Sequence, residues 1–218
     1  MAILERPTYH HGDLRNALVR AAIELVDEEG IDAFSLRAAS RRVGVSPSAS
    51  YRHFRDRRAL LRAVADDGFE RLGGEMLGDG VAARAGLGEP AAAVAALSAT
   101  LRAYVLFAVR QRAQFRVMFG PWAMPAIATG DCEPHDKKTN AAYLALAGAL
   151  DGLVTAGVIP ATARERLELV AWAPMHGLAR LLIDGLIPTD AATLDASFSA
   201  IERPLLIGLG VDPSLLVR

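Results

Sequence analysis

Apolar residues recur along this chain at spacings of three and four, and no stretch sustains the alternation of two that a strand requires. Leu14, Leu18, Ala21 and Leu25 mark one helical face between about residues 13 and 29, and Gly30 stops it. A second helix is expected from Ser35, a good cap, to near Arg42. Val43-Gly44-Val45 follows as a turn, and Gly44 can take the left-handed backbone that a tight helix–helix turn favours. A third, short helix covers Ser46 to Phe54. Ser46 caps it, and Pro47 sits at the first position, where its missing N–H costs nothing. Asp56 caps a fourth, in which Leu61, Val64, Ala65, Gly68 and Leu72 share a face.

Gly73, Gly74, Gly78, Gly80, Gly86 and Gly88 then read as a loose joint. The expected division is a small head over residues 12–72 and a larger helical domain over residues 88–210. Helices resume at Pro90 and run to about Gln114, and a short one holds Phe115, Met118 and Phe119. The three prolines in residues 120–138 predict a loop, and Thr139 to Ala156 is helical up to Gly157. Two long helices close the chain, at about 162–186 and 190–208, with Pro174 and Pro204 expected to kink them. The fold class is all-α: a three-helix helix-turn-helix head and a larger C-terminal helical domain.

The composition, 52% hydrophobic and 22% charged over 218 residues, is too apolar for disorder and supplies a real core. No apolar run is expected to reach the roughly 18 residues of a membrane span, and the N-terminus has no apolar signal segment. A soluble, cytoplasmic protein without membrane contact is expected. One cysteine, Cys132, excludes an internal disulfide framework. The net charge of −1 hides an asymmetry. Ala33 to Arg62 carries eight arginines against one acid, Asp56, whereas residues 63–218 are net acidic. A structural cap has no reason to concentrate arginine in this way.

The stretch SLRAASRRVGVSPSASYRHFRDRRALLRAV, with Gly44-Val45-Ser46, Tyr51-x-His53-Phe54 and Leu60-Leu61, resembles the DNA-binding domain of the TetR/AcrR family of bacterial transcriptional regulators. Arg57 stands where the family usually has Lys, Ser35 replaces the commoner Thr, and Ser50 takes a position that is usually apolar; the resemblance gives no account of Ser50. The later segment AWAPMHGLARLLIDGL, with Trp172 and His176-Gly177, and the segment FRVMFG resemble a subgroup named for a Trp-His-Gly pattern.

The resemblance implies a regulator that inserts the start of the third helix into the DNA major groove. Arg37, Pro47, Ser48, Ala49 and Arg52 would read base edges, with Arg37 and Arg52 able to grip guanine in bidentate fashion. Ser46 and its small neighbours let the helix end approach closely. Tyr51, His53 and Arg57 match positions that hold the phosphate backbone. Phe54 reads as core, and for Tyr51 core packing competes with phosphate contact. Arg41 and Arg42 read as a solvated face.

One such head covers few base pairs, so a homodimer on a palindromic operator of double-stranded DNA is expected. Leu169, Trp172, His176, Ala179, Ile183 and Leu186, with Leu194, Phe198, Ile201 and Leu205, would form its seam; the competing reading packs these faces against their own chain. The family also implies a small-molecule effector in an apolar pocket. Candidate lining residues are Tyr104, Phe107, Phe115, Met118, Phe119, Trp122, Tyr143, Trp172 and His176, although the same spacing describes an ordinary core.

No metal site or cofactor is expected. Cys132, Glu133, His135 and Asp136 lack a second ligand pair at regular spacing, and no nucleophile has a partner at motif spacing. The protein is therefore read as a non-enzymatic repressor released by its effector. The alternatives are an activator or a ligand-independent DNA-binding regulator and, more distantly, a helical carrier or enzyme with a structural head.

Overall fold

The structure, a computed structural model, describes residues 11–120 and 140–216. All regular elements among the described residues are helical. They are α1 (His11–Glu29), α2 (Leu36–Val43), α3 (Pro47–Tyr51), α4 (Arg57–Ala82), α5 (Glu89–Arg110), α6 (Arg112–Met118), α7 (Ala141–Thr155), α8 (Leu167–Ile183) and α9 (Ala191–Gly208). Chain contacts divide them into two compact units: the residues up to Gly68 with the stretch that begins at Ala113, and Phe69–Arg112 with the described chain from residue 140.

In the first unit α1, α2 and α3 pack around Leu18, Phe34, Leu36, Ala39 and Phe54, all buried. The turn chemistry is local. Ser35 Oγ accepts from the Ala38 N–H at 3.1 Å, and Gly44 adopts φ 75°, where its N–H closes α2 onto Arg41 and Ser40. Ser46 Oγ accepts from Ala49 N–H at 3.3 Å, and Asp56 Oδ1 from Ala59 N–H at 2.7 Å.

The glycine-rich joint is the main correction to the sequence reading. Gly73, Gly74, Gly78 and Gly80 lie inside α4, which runs on to Ala82. Two of them are contact points. A Cβ on Gly73 would meet the Ala141 backbone at 2.5 Å, and one on Gly80 would meet Thr100 Oγ1 at 2.6 Å. These glycines let α4 approach α7 and α5 closely, so their freedom is used for packing. Of the six glycines of the expected joint, Gly86 alone has a positive φ, 76°, and serves a turn.

In the second unit α5 is the central helix and packs most extensively on α8 and α7. By length and composition α5 could cross a membrane, which corrects the expectation that no run is long enough. Two thirds of its most apolar window is buried inside the chain, the mark of a core helix. α8 and α9 continue through Pro174 and Pro204. Their expected dimer seam is only partly outward. Ala179, Ile183, Leu194 and Phe198 are buried in the chain's own core, while Leu169 and Leu186 are exposed. The outward apolar faces are Val170, Ala173, Gly177 and Leu181 on α8, and Ala192, Ala196, Ala200, Pro204 and Ile207 on α9.

Candidate functional site

The head presents its helix-turn-helix outward. Arg37, Ser46, Pro47, Ser48 and Arg52 are exposed, and Ala49 and His53 are half-buried. Tyr51 is 46% exposed, so the ring that could have been core faces outward, while Phe54 is buried with the Arg15 guanidinium 5.4 Å from its ring centre. The α3 entrance is small and polar: Ser46 Oγ and Ser48 Oγ lie 3.0 Å apart at its tip.

Ser50 is fully buried, and the Ser40 hydroxyl reaches both the Leu36 carbonyl and the Ser50 hydroxyl at 2.8 Å. The polar residue at this usually apolar position therefore links α2 to α3 across the turn. Sequence reasoning missed the pair; its signal was a second small hydroxyl residue, Ser40, on the inner face of α2.

The arginines sort into two kinds. Arg42 makes a bidentate contact with Glu28 on α1, at 2.7 and 2.6 Å, and lies 3.6 Å from Glu24. That hydrogen bonding holds the Glu28 carboxyl below its usual range and raises the Arg42 guanidinium. Arg57 turns inward and donates to the Ile31 carbonyl. Arg37, Arg41, Arg52 and Arg58 are exposed, and their guanidinium groups make no hydrogen bond or ion pair among the described residues.

In the second unit the structure gathers three of the effector candidates. Trp172 Nε1–H donates to Tyr104 Oη at 2.9 Å, and Tyr104 Oη lies 2.7 Å from His176 Nδ1. Tyr104 comes from α5, and Trp172 and His176 sit one turn apart on α8 with ring centres 5.2 Å apart. Burial raises the Tyr104 hydroxyl well above its ordinary range. Burial, and then the charge of Arg180, lower the His176 pKa from its ordinary value and favour the neutral imidazole. Tyr104 Oη accepts from Trp172 and, in the tautomer protonated at Nε2, donates to His176 Nδ1, which gives a relay from Trp172 to Tyr104 to His176.

The remaining candidates are placed elsewhere. Tyr143 bonds to Glu168 beside the Arg164 cluster, where Arg164 meets Glu168 at 2.8 Å and Asp151 at 2.6 Å. Phe107 is buried with the Arg71 guanidinium 5.9 Å from its ring centre. Phe115 and Met118 are buried in the first unit, where Phe115 meets Phe119 at 4.7 Å. Trp122 and the Cys132, Glu133, His135 and Asp136 group lie outside the described residues. The second unit also holds a cleft of about 450 Å³ between α5 and α9. Val94, Ser98, Arg102, Glu202 and Leu206 line it, and none of them was singled out from the sequence.

A capped helix-turn-helix followed by an all-helical unit defines the class, a bacterial-type helix-turn-helix regulator. Residues 18–64 match the family described as bacterial regulatory proteins, tetR family, and residues 97–203 match the tetracyclin repressor-like C-terminal domain. The chain belongs to the TetR family of transcriptional regulators. The tetracycline repressor protein class A from transposon 1721 of Escherichia coli is 45% identical over 51 residues, 23% of this chain and 24% of that protein. The match thus spans about a quarter of that relative's length. A solved protein of unknown function from Rhodococcus sp. RHA1 is 32% identical, covering 94% of this chain and 100% of that one, with a TM-score of 0.69. A TetR variant from Acinetobacter baumannii in complex with minocycline shares the fold at 18% identity, covering 88% and 94% of the two chains, with a TM-score of 0.60.

Proposed function

We propose that this chain is a cytoplasmic, homodimeric transcriptional repressor that holds a palindromic operator and is released by a small, mostly apolar effector. The observation that carries the DNA half is the exposed start of α3, where Ser46, Pro47 and Ser48 form a small tip flanked in sequence by the guanidinium groups of Arg37 and Arg52, which have no partner among the described residues. Base reading falls to Arg37, Pro47, Ser48, Ala49 and Arg52, and backbone contact to Tyr51 and His53. Arg57 joins the backbone set only by leaving the Ile31 carbonyl. The working domains are residues 12–72 and 88–210.

The effector half rests on the Trp172–Tyr104–His176 relay, in which Tyr104 is buried and Trp172 and His176 are half-buried, a polar point between α5 and α8 that suits a ligand with an apolar body and one polar atom. The minocycline complex of a neighbour with the same fold supports a ligand-responsive reading. An effector that prefers the DNA-incompetent conformation draws the population toward it. The outward small-residue faces of α8 and α9 suit a four-helix contact with a second copy.

The test is retention of sheared genomic DNA by the purified protein, followed by sequencing. A sharply enriched palindrome is expected. Diffuse retention across two independent preparations, one refolded to remove any bound effector, overturns the reading.

A further inference from the structure

We infer that Arg41 is a DNA-backbone contact that anchors α2 beside the base-reading Arg37, whereas Arg42, its neighbour in sequence, is a structural residue. The inference rests on the DNA-binding reading above. Arg37 and Arg41 are four residues apart, so they share the outer face of α2 about one turn, roughly 6 Å, from each other. Both are exposed, and neither guanidinium group makes a hydrogen bond or ion pair among the described residues.

Like charges at this spacing weaken a helix, and an acid at either position would relieve the repulsion. Neither α2 nor α3 contains an acidic residue. The chain does have acids to spare for this region, and it spends Glu28 and Glu24 on Arg42 instead. Favourable charge at the α2 C-terminus does not explain Arg41, because Arg42 already supplies a cation in the same turn. A guanidinium with no acidic partner among the described residues, held on the same face as a base reader, fits a phosphodiester, the anion that flanks the groove Arg37 would enter. A phosphate contact fixes register without reading sequence, so Arg41 would supply affinity and Arg37 would supply choice.

The experiment uses the full chain as wild type, Arg41→Gln and Arg42→Gln, with a duplex DNA of arbitrary sequence as probe. Binding is followed against salt concentration, and thermal unfolding is recorded for each protein. For Arg41→Gln, the slope of log affinity against log salt should become shallower by about one per head, with an unfolding midpoint equal to or above wild type. Arg42→Gln should lower the midpoint and keep the wild-type slope. A wild-type slope in Arg41→Gln, or an equal loss of slope in both variants, overturns the inference. A wild-type protein whose affinity does not fall with salt overturns the DNA-binding reading itself, and that result is visible before any variant is compared.

Discussion

Ser50 shows how one residue can reverse the sense of a position. Its buried hydroxyl is paired to Ser40, so an apolar replacement there removes a bond as well as adding volume. Ser50→Ala should cost about 1 kcal/mol, the net value of one hydrogen bond, and Ser50→Leu about 1–3 kcal/mol through overpacking. Denaturant unfolding of the two variants checks both, and a stabilised Ser50→Leu would show that the α2–α3 joint has room to spare.

His176 carries a pH dependence with a definite sign. Burial and Arg180 lower its pKa in the fold, so the native state binds this proton less readily than the unfolded chain does. The contribution to stability is complete above pH 6.5 and declines as pH falls through the folded value. The urea midpoint should therefore drop between pH 7 and pH 5, and His176→Gln, whose amide can still meet Tyr104, should flatten that drop. An unchanged pH profile in His176→Gln would assign the acid sensitivity to other groups. The roles of Arg41 and Arg42 were not legible from the sequence for a related reason: the partner that distinguishes them, Glu28, lies 14 residues away on another helix.

At the scale of elements, the head was legible because its signals are local. Ser35, Gly44, Ser46, Pro47 and Asp56 each act on the backbone within a few residues of themselves. The middle of the chain was not. Four glycines in α4 read as a break, and what keeps the helix going is packing against α7 and α5, elements that follow later in the sequence. This account separates glycines within a single helix. Gly73→Ala places a methyl group 2.5 Å from the Ala141 backbone, which cannot move aside as a flexible side chain would, and should cost about 1–3 kcal/mol. Gly74→Ala meets nothing within 4 Å and should stabilise by about 0.5–1 kcal/mol through helix propensity. Thermal unfolding of the pair checks the ordering, and equal effects would mean that the two glycines serve the helix in the same way.

For the whole molecule, the outward apolar faces of α8 and α9 that the proposed dimer would cover are rotated from the seam expected from the sequence. Periodicity located apolar faces on α8 and α9 but could not divide them between the chain's own core and a second copy, because both uses need the same residue types. Burial makes that division: Ile183 and Phe198 belong to the core, and Val170, Leu181 and Ile207 remain outside, in company with Ala173, Gly177, Ala196 and Ala200. Small residues of this kind permit close helix approach, and a charge introduced among them would be desolvated in a dimer yet solvated in a monomer. Val170→Asp and Ala200→Glu should therefore leave single-chain unfolding within about 0.5 kcal/mol of a surface change while shifting sedimentation from dimer to monomer. Because a monomer offers one head to a two-half-site operator, the same variants should lose most of their preference for a palindrome over a half-site and keep the salt-dependent attraction of each head for duplex DNA. Ile183→Asp serves as the contrasting case, expected to unfold the chain by burying an unpaired charge. Variants at positions 170 and 200 that remain dimeric with full palindrome preference would move the interface to another face of the molecule.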